Sequence, residues 1–558
     1  MLKFVELKRS QKFFETPDFT KIPVLEKLVL EDCINLREIH PSIGVHKKLA
    51  LLNLKGCKNL RSLPRKFEME SLEILILSEC SNLKRIPEFG ENMEHVTELY
   101  LDGTIITKLP TSIGNLSGLA LLNVRDCKNL MSLPSTFFNM TWLKDLNLCG
   151  CSKLLENLGS GESVEVNEQM ASSNAIFETF KKIAFRGFQL LPFYPMLRSS
   201  EPMGLLSSSL FGLSSLTKLN LRNCNLKEIP SDIGCLVSLK GLNLSENNFG
   251  CLPESIAQLS ILISLKVNNC TSLQSFPKLP LNIGYIIGYG CSSLETLPDQ
   301  LKPNSSFQPR LFLSNCCKLT GNQGFIDLFF AAVKKKSHQV SLSLSLSLSL
   351  SLSLSLIVLS IMLCMFQGLS LKYNDFYAMV FPGSEIPEWF SHQCMGDEVN
   401  IMEHFSHFCN DWIGIAVCVV FCTLPHHQNQ GDSPITCKLT FHRNELHILP
   451  GEVVANALLD HIFLIFMLPQ LSLKEDIKSL LEFDANGFHK IGIKIDNRPT
   501  SLVKKCGLRV VYKKDIKDLN SAMAQCSNNS IIPYIPHHNF KNSAMVVEVN
   551  KNDCKESS

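Results

Sequence analysis

Leucine and other apolar residues recur along the first part of the chain in one phrase, Leu-x-x-Leu-x-Leu-x-x-Cys. Copies open at Leu2, Leu25, Leu49, Leu72, Val96, Leu119 and Leu143, then at Leu216, Leu239 and Leu262, with weaker ones near Ile283 and Leu311. The first seven copies follow one another at steps of 23 or 24 residues, a period typical of leucine-rich repeats. Inside each copy two leucines flank one residue, as at Leu28-Val29-Leu30, and this predicts a short strand with both leucines inward. Because one repeat cannot bury its own apolar face, the repeats are expected to stack into a parallel sheet.

A different pattern follows further along the chain. Apolar, β-rich runs occupy residues 378–381, 412–422, 437–441, 461–467, 490–495 and 506–512, and turn-rich stretches separate them. Six such strands predict a β-sandwich. The predicted fold is therefore an α/β leucine-rich-repeat solenoid, a horseshoe with its parallel sheet on the concave face, followed by an all-β sandwich domain.

Register and composition divide the chain into six parts. They are a first block of repeats at 1–158, an irregular repeat with insertions at 159–215, a second block of repeats at 216–325, a linker at 326–371, the sandwich at 372–516 and a polar, disordered tail at 517–558. Leu2 and Val5 already lie in the strand register, so we expect the chain to be the C-terminal part of a longer protein.

The linker contains eight uninterrupted Ser-Leu pairs at residues 341–356, followed by an apolar run that ends at Phe366. Alternation with a period of two is typical of a strand and not of a helix, and only about ten residues are densely apolar, fewer than the ~20 that a membrane span needs. Three interpretations stay open: translated repeat DNA such as a retained intron, a disordered linker, or a membrane segment.

Charge and cysteine placement narrow the partners and the compartment. The formal net charge of +2 over 558 residues gives no global attraction to nucleic acid. Many of the 22 cysteines occupy one slot of the repeat: Cys33, Cys57, Cys80, Cys127, Cys151, Cys224, Cys270, Cys291 and Cys316. This spacing predicts a ladder of unpaired buried thiols. The charged start of the chain is unlike a secretory signal, so we expect a reducing compartment, the cytoplasm or the nucleus.

The sequence offers no constellation for catalysis. The Gly-x-x-x-x-Gly-Lys-Ser/Thr phosphate loop is missing, and the pairs His426-His427 and His537-His538 lack cysteine or carboxylate partners at metal spacing. We therefore predict a non-enzymatic protein with no catalytic residue, cofactor or metal site.

Several phrases resemble a known family. Glu38-Ile-His-Pro-Ser-Ile-Gly44 and Leu54-Lys-Gly-Cys-Lys-Asn-Leu-Arg-Ser-Leu-Pro64 are similar to the repeats of plant intracellular immune receptors of the TIR, nucleotide-binding, leucine-rich-repeat class. Phe381-Pro-Gly-Ser-Glu-Ile-Pro-Glu-Trp-Phe-Ser-His392 resembles the opening signature of the jelly-roll/Ig-like domain, named C-JID, that follows the repeats in that class. The family's nucleotide-binding switch and TIR domain have no counterpart here.

The resemblance implies recognition of a protein ligand, either a pathogen effector or a guarded host protein, in a defence response. On the concave face three positions per repeat flank the inward leucines, and the best candidates for binding are Glu98, Tyr100, Asp102, Asn123, Arg125, Asn147, Lys218, Asn220 and Arg222. Tyr100, between two acidic residues, is the predicted anchor. The repeated asparagines have a second interpretation as structural consensus residues.

In the post-repeat signature the candidate positions are Phe381, Pro382, Gly383, Ser384, Glu385, Ile386, Pro387, Trp389 and Phe390. We expect this motif to set a turn and to pack Trp389 into a core rather than to touch a ligand. We further predict that the protein binds a protein partner, does not bind nucleic acid, has no membrane anchor and is a monomer. The alternatives are the product of a truncated or wrongly assembled gene, which would be a non-signalling receptor fragment or decoy, and a membrane-anchored repeat protein.

Overall fold

The computed structural model describes residues 2–156, 212–301, 309–319, 322–349, 376–404, 412–423, 436–441, 444–448, 460–467, 488–496 and 501–516. Most of the predicted irregular repeat, the second half of the Ser-Leu tract and the tail from residue 517 lie outside the described residues.

The leucine phrases form a run of three-residue strands. These are β1 (Phe4–Glu6), β2 (Lys27–Val29), β3 (Leu51–Asn53), β5 (Ile74–Ile76), β7 (Glu98–Tyr100), β8 (Leu121–Asn123), β9 (Asp145–Asn147), β10 (Lys218–Asn220), β11 (Gly241–Asn243), β12 (Ser264–Lys266), β13 (Tyr285–Ile287) and β14 (Arg310–Phe312). Neighbours pair in parallel and in register, so that Leu28, Leu52 and Leu75 are aligned. These central leucines are fully buried, as the alternation predicts.

A residue in the left-handed backbone conformation follows each strand. The residue three positions after the strand has a positive φ in nearly every repeat, for example 57° at Asp32, 61° at Glu79 and 57° at Asp126. Glycine occupies this position at Gly56, with a φ of 71°, where it carries no steric cost. The following cysteine is buried and donates its thiol to a carbonyl of the preceding repeat, as in Cys57 Sγ to Leu30 O at 3.1 Å. The predicted cysteine ladder is therefore confirmed within the described residues, where the cysteines are free thiols.

Short helices and two extra strands lie on the far side of the repeats from the sheet. The 3-10 helices span Pro41–Val45, Thr111–Asn115, Ser135–Asn139, Ser231–Cys235, Glu254–Gln258 and Asp299–Leu301. A short α-helix, α1, spans Ser152–Glu156, and strands β4 (Lys66–Phe67) and β6 (Glu88–Phe89) pair with each other. Proline is the N-cap residue of most of these helices, as at Pro110 and Pro134, and its φ near −69° fits the extended backbone of that position.

The two blocks of repeats form one continuous sheet. Strand β10 pairs directly with β9, with Lys218 opposite Asp145 and Asn220 opposite Asn147. Leu148 N donates to Asn220 O at 2.9 Å across this junction. The predicted irregular repeat at 159–215 lies almost entirely outside the described residues, and the strands on either side of it, β9 and β10, are hydrogen-bonded to each other.

The C-terminal part contains the strands β15 (Phe376–Pro382), β16 (His392–Met395), β17 (Glu398–His404), β18 (Trp412–Thr423), β19 (Thr436–Phe441), β20 (Asn444–Ile448), β21 (His461–Met467), β22 (Phe488–Asp496) and β23 (Ser501–Tyr512). One antiparallel layer has the order β15, β21, β18, β23, β16, and the other has the order β17, β22, β19, β20. Apolar side chains from both layers, including Val417, Phe463 and Ile493, form a shared core. The predicted sandwich is confirmed.

The solenoid and the sandwich share a sheet. Strand β14 pairs in parallel with β15, with Leu311 opposite Met379 and Phe312 opposite Val380. Leu313 N also donates to Val380 O at 2.8 Å. The last repeat is thus hydrogen-bonded directly to the first strand of the sandwich.

An α-helix, α2 (Asn322–Ser349), follows the last repeat. Phe325 is buried, and so are all the residues from Leu328 to Val333. The segment predicted as a linker from residue 326 therefore begins within a buried helix, whose apolar side chains pack in the same core as the repeats. The first Ser-Leu pairs, up to Ser349, are helical as well. Their alternation of polar and apolar residues, which is typical of a strand, therefore did not predict their conformation.

Among the helices that the structure describes, none is long and apolar enough to cross a bilayer.

Candidate protein-binding site

The concave face presents the flanking residues of each strand in aligned rows. Glu98, Leu121, Asp145 and Lys218 form one row, because their strands pair at these positions. Tyr100, Asn123, Asn147 and Asn220 form the next row. The predicted binding residues of β7 to β10 therefore lie on one surface.

Tyr100 and Glu98 form a fixed pair on this surface. The Tyr100 hydroxyl donates to Glu98 Oε2 at 2.8 Å, and both side chains are half-buried. Partial burial, with the hydrogen bond to Glu98 as the second cause, raises the pKa of Tyr100 to about 12. Tyr100 therefore presents a neutral ring whose hydroxyl already has an acceptor.

Asp102 connects three strands. Its Oδ1 accepts hydrogen bonds from the Ser78 hydroxyl at 2.7 Å and from Asn123 Nδ2 at 3.0 Å. Ser78 was not among the predicted site residues, although it occupies the equivalent position one strand earlier. These bonds hold the Asp102 carboxylate at the surface beside Tyr100.

The repeated asparagines have a backbone role. Asn123 Oδ1 accepts from Arg125 N at 3.1 Å, Asn147 Oδ1 from Cys149 N at 3.1 Å, and Asn220 Oδ1 from Arg222 N at 3.1 Å. Asn53 and Asn243 make the same bond to the residue two positions on. This arrangement satisfies a backbone N–H where the strand ends, and it supports the structural interpretation of the asparagines.

The cationic candidates are paired with carboxylates. Arg125 Nε lies 3.0 Å from Asp126 Oδ2, and Arg222 Nη2 lies 2.6 Å from Glu246 Oε1. Lys218 Nζ lies 3.5 Å from Asp145 Oδ2, and this contact depends on the direct pairing of β9 and β10. No sequence pattern indicates this contact, because 73 residues separate the two strands.

The post-repeat signature packs against helix α2. Phe381 stacks on Phe325 with ring centroids 4.7 Å apart, and Trp389 meets Phe330 at 5.1 Å. Trp389 is 8% exposed. Phe381, Ile386, Trp389 and Phe390 are buried, whereas Ser384 and Glu385 are exposed and Pro382, Gly383 and Pro387 are half-buried. Most of the apolar residues of the signature are therefore buried where the repeats, helix α2 and the sandwich meet, a region named the joint between repeats and sandwich.

Arg509 lies over the ring of Trp389. Its guanidinium lies 4.6 Å from the ring centroid, and Nη1 donates to Trp389 O at 2.5 Å. Nη2 donates to Asp515 Oδ1 at 2.8 Å, and Asp515 Oδ2 accepts from Tyr512 N at 2.8 Å. The cluster makes this motif a structural element with only its polar turn at the surface.

Sequence reasoning missed a second contact at this joint. His461 in β21 is fully buried, and its Nε2 accepts the backbone N–H of Asn315 at 2.9 Å. Asn315 is the left-handed residue of the last repeat, with a φ of 60°. The histidine could not be singled out, since the sequence does not show that β21 lies beside the end of the solenoid.

In the part of the chain that the structure describes, no three or more His, Cys, Asp or Glu side chains are grouped to hold a metal ion.

Two family models match the chain. Residues 67–186 match leucine-rich repeats described as "Disease resistance protein RPS4B-like", and residues 381–517 match the C-JID domain. Together with the fold, these matches confirm the resemblance: the chain corresponds to the leucine-rich-repeat and C-JID region of plant TIR-type disease resistance proteins.

Two of the curated relatives similar to this chain are named as a disease resistance-like protein and a resistance protein. The chain is 33% identical over 427 residues to "Disease resistance-like protein DSC1" of Arabidopsis thaliana, covering 75% of this chain and 33% of that protein. It is 31% identical over 434 residues to "TMV resistance protein N" of Nicotiana glutinosa, covering 75% and 34%. The chain thus spans about a third of the length of these relatives.

Among solved structures, a leucine-rich-repeat protein of Leptospira interrogans is similar at 21% identity, covering 51% of this chain and 71% of that chain with a TM-score of 0.27.

Proposed function

We propose that this chain is the recognition module of a plant immune receptor, which binds a pathogen effector protein, or a host protein that an effector modifies, and so mediates a defence response. The concave surface of β7 to β10 carries the proposal. It presents Tyr100, Glu98 and Asp102 in fixed positions on a rigid sheet. Rigid aromatic anchors with polar neighbours are common in protein interfaces.

Two further observations support binding rather than catalysis. The relatives bear the names of disease resistance proteins, and the polar groups of the concave surface are used in hydrogen bonds and ion pairs to one another. Such groups offer fixed recognition features and no activated nucleophile. We accordingly propose a non-enzymatic module that acts as a monomer when isolated, in the cytoplasm or the nucleus.

In this proposal the sandwich contributes through its exposed turn and not through the buried part of the signature. Ser384 and Glu385 are exposed, and Glu385 Oε2 lies 2.6 Å from Lys505 Nζ. The polar turn is therefore the part of the C-JID signature that a bound protein would contact.

A panel of purified effector proteins tests the proposal by biolayer interferometry on the immobilised chain. At least one effector is expected to bind, and Tyr100→Ala is expected to weaken that affinity by about tenfold or more, as for an interface anchor. Met131→Ala is the control, since Met131 is 52% exposed and lies outside the strands, and its affinity should stay within about twofold of wild type. Absence of any bound effector, or equal loss in both variants, would contradict the proposal.

A further inference from the structure

Charge is distributed unevenly along the concave face. On β7 to β9 the outward side chains and the residues just after the strands include the carboxylates Glu98, Asp102, Asp126 and Asp145, with Arg125 as the cation among them. Arg125 is already paired with Asp126. This stretch, here named the acidic pole, therefore carries a net negative charge.

The sign changes at the next strand. On β10 to β12 the corresponding positions contain Lys218, Arg222 and Lys266, with Glu246 as the carboxylate among them. Glu246 is paired with Arg222. This stretch, here named the basic pole, carries a net positive charge. The two poles meet at the pair Asp145 and Lys218, whose charged atoms are 3.5 Å apart.

The direct pairing of β9 with β10 creates this arrangement. The acidic strand β9 and the basic strand β10 are adjacent in the sheet, although 73 residues separate Asp145 from Lys218 along the chain. Parallel strands lie ~4.8 Å apart, so Tyr100 and Lys266, on strands five steps apart, are separated by about 24 Å along the sheet.

Half-buried aromatic and apolar side chains accompany each pole. Ile76 is aligned with Tyr100, and Leu121 with Glu98, at the acidic end. Tyr285 and Tyr289 follow the basic end, where the Tyr285 hydroxyl accepts from Arg310 Nη1 at 2.7 Å. Each charged region therefore has apolar surface beside it that a partner side chain could cover.

We propose that the concave face is a bipolar docking surface for a protein that presents a basic cluster to the acidic pole and an acidic cluster to the basic pole, the outermost strands of the two poles, β7 and β12, lying about 24 Å apart. This inference rests on the proposed function, in which the concave face binds a protein, and it adds the partner's chemistry and orientation. Complementary charges fix the orientation of a complex and suppress wrong partners. A polyanion such as nucleic acid would match one pole and be repelled by the other.

Two synthetic peptides of equal composition test the proposal. The first has a run of lysines, a Gly-Ser spacer of about 12 residues with a typical length of roughly 20 Å, and a run of glutamates. The second contains the same residues with lysine and glutamate alternating. At low salt, where screening is weak, the block peptide is expected to bind the full chain about tenfold more tightly. Equal affinities would overturn the proposal.

Zero-length carbodiimide cross-linking followed by mass spectrometry determines in which orientation the block peptide binds to the concave face. Peptide lysines are expected to link to Glu98, Asp102 or Asp145, and peptide glutamates to Lys218 or Lys266. Cross-links spread over carboxylates on the other faces of the molecule, or an inverted map, would overturn the bipolar assignment.

Charge-removing variants supply matched controls. Glu98→Gln retains an acceptor for the Tyr100 hydroxyl and removes the charge, so the block peptide should bind about threefold more weakly. Its control is Glu94→Gln, which makes the same change in the same repeat at an exposed position off the concave face. Lys218→Gln removes a charge from the basic pole, and its control is Lys227→Gln at an exposed position of the same repeat. Equal effects of each variant and its control would contradict the proposal.

The two proposals fail separately. A correct cross-link map without binding of any effector would overturn the proposed function and leave the bipolar surface standing. Effector binding that Tyr100→Ala weakens, with no preference for the block peptide, would overturn only the bipolar surface.

Discussion

At the scale of single residues, the concave face separates structural positions from candidate contacts. Asparagine recurs at the third strand position because its side chain accepts the backbone N–H two residues on, as in Asn53 and Asn220. Tyr100 occupies the same position in its repeat and has no side-chain amide oxygen to accept that N–H. Val29 and Ile76 fill the same position in their repeats, so the amide is favoured there and not required, and the assignment of Tyr100 as a contact residue depends on its place on the concave face.

Removing one asparagine should weaken the repeat. We expect Asn220→Ala to lower the free energy of unfolding by about 1 kcal/mol, because Arg222 N loses its acceptor. Asn92→Ala is the matched control at an exposed turn position and should change stability by less than about 0.5 kcal/mol. Urea denaturation followed by circular dichroism measures both. Equal effects would show that the side-chain acceptor contributes nothing.

Thiol chemistry should distinguish the ladder from the surface. Burial raises the pKa of Cys127 to about 11 and of Cys80, Cys224 and Cys270 to about 12, so these thiols stay protonated at pH ~8, whereas alkylation requires the thiolate. Cys251, Cys317 and Cys394 are exposed and should react with iodoacetamide first.

The same shifts give stability a pH dependence. Because the folded pKa of these thiols lies above the unfolded value, their contribution is fully present below pH ~8.5 and is lost as pH rises towards the folded values. The difference in thiol reactivity is measured by mass spectrometry after brief alkylation. Ladder cysteines that reacted as fast as Cys251 would contradict the prediction that burial protects them.

At the scale of elements, what could be predicted depended on how local the signal was. The repeat strands were predictable because each copy carries its own apolar phrase, and even the weak copies at β13 and β14 are confirmed. Strands β16, β17 and β20 were missed; β16 is short and fully exposed, so it carries no alternation of apolar and polar residues. Helix α2 was missed although Phe325, Leu328 and Phe329 have helical spacing, since the Ser-Leu tract next to them suggested a linker.

The continuity of the sheet across β9 and β10 predicts that the intervening residues are dispensable for folding. Deleting residues 160–208 reduces the separation of Lys144 and Thr217 from 73 residues to the 24 that separates Glu73 from Thr97. The shortened chain is expected to keep its circular dichroism spectrum and to melt within a few degrees of the full chain. Aggregation or loss of the β signal would show that these residues support the sheet.

The joint between repeats and sandwich should be sensitive to its central tryptophan. Trp389→Ala removes contacts with Phe330, Phe390 and Arg509 and should cost about 3–5 kcal/mol, as for other buried aromatic truncations. Glu385→Ala, in the same motif but with its side chain 79% exposed, serves as the control. Thermal unfolding should show a clear loss for Trp389→Ala and almost none for Glu385→Ala, and the reverse order would contradict the assigned roles.

At the scale of the whole molecule, the concave face and the sandwich form one continuous structure. Within the described residues, 17 strands share a sheet, and helix α2, the signature motif and His461 reinforce the point where the solenoid ends. The two folds could be predicted from the sequence but this connection could not, because Leu311 and Met379 pair across a long stretch without repeats. A partner would therefore meet the groove and the polar C-JID turn in a fixed relative position.

Hydroxyl-radical footprinting of the complex with a bound effector tests the central claim most directly, because it reports the solvent access of individual side chains. We predict that oxidation of Tyr100 falls about threefold or more on binding, while Met131, exposed outside the strands, stays unchanged. Unchanged oxidation of Tyr100 together with protection of Met131 would contradict recognition through the concave face.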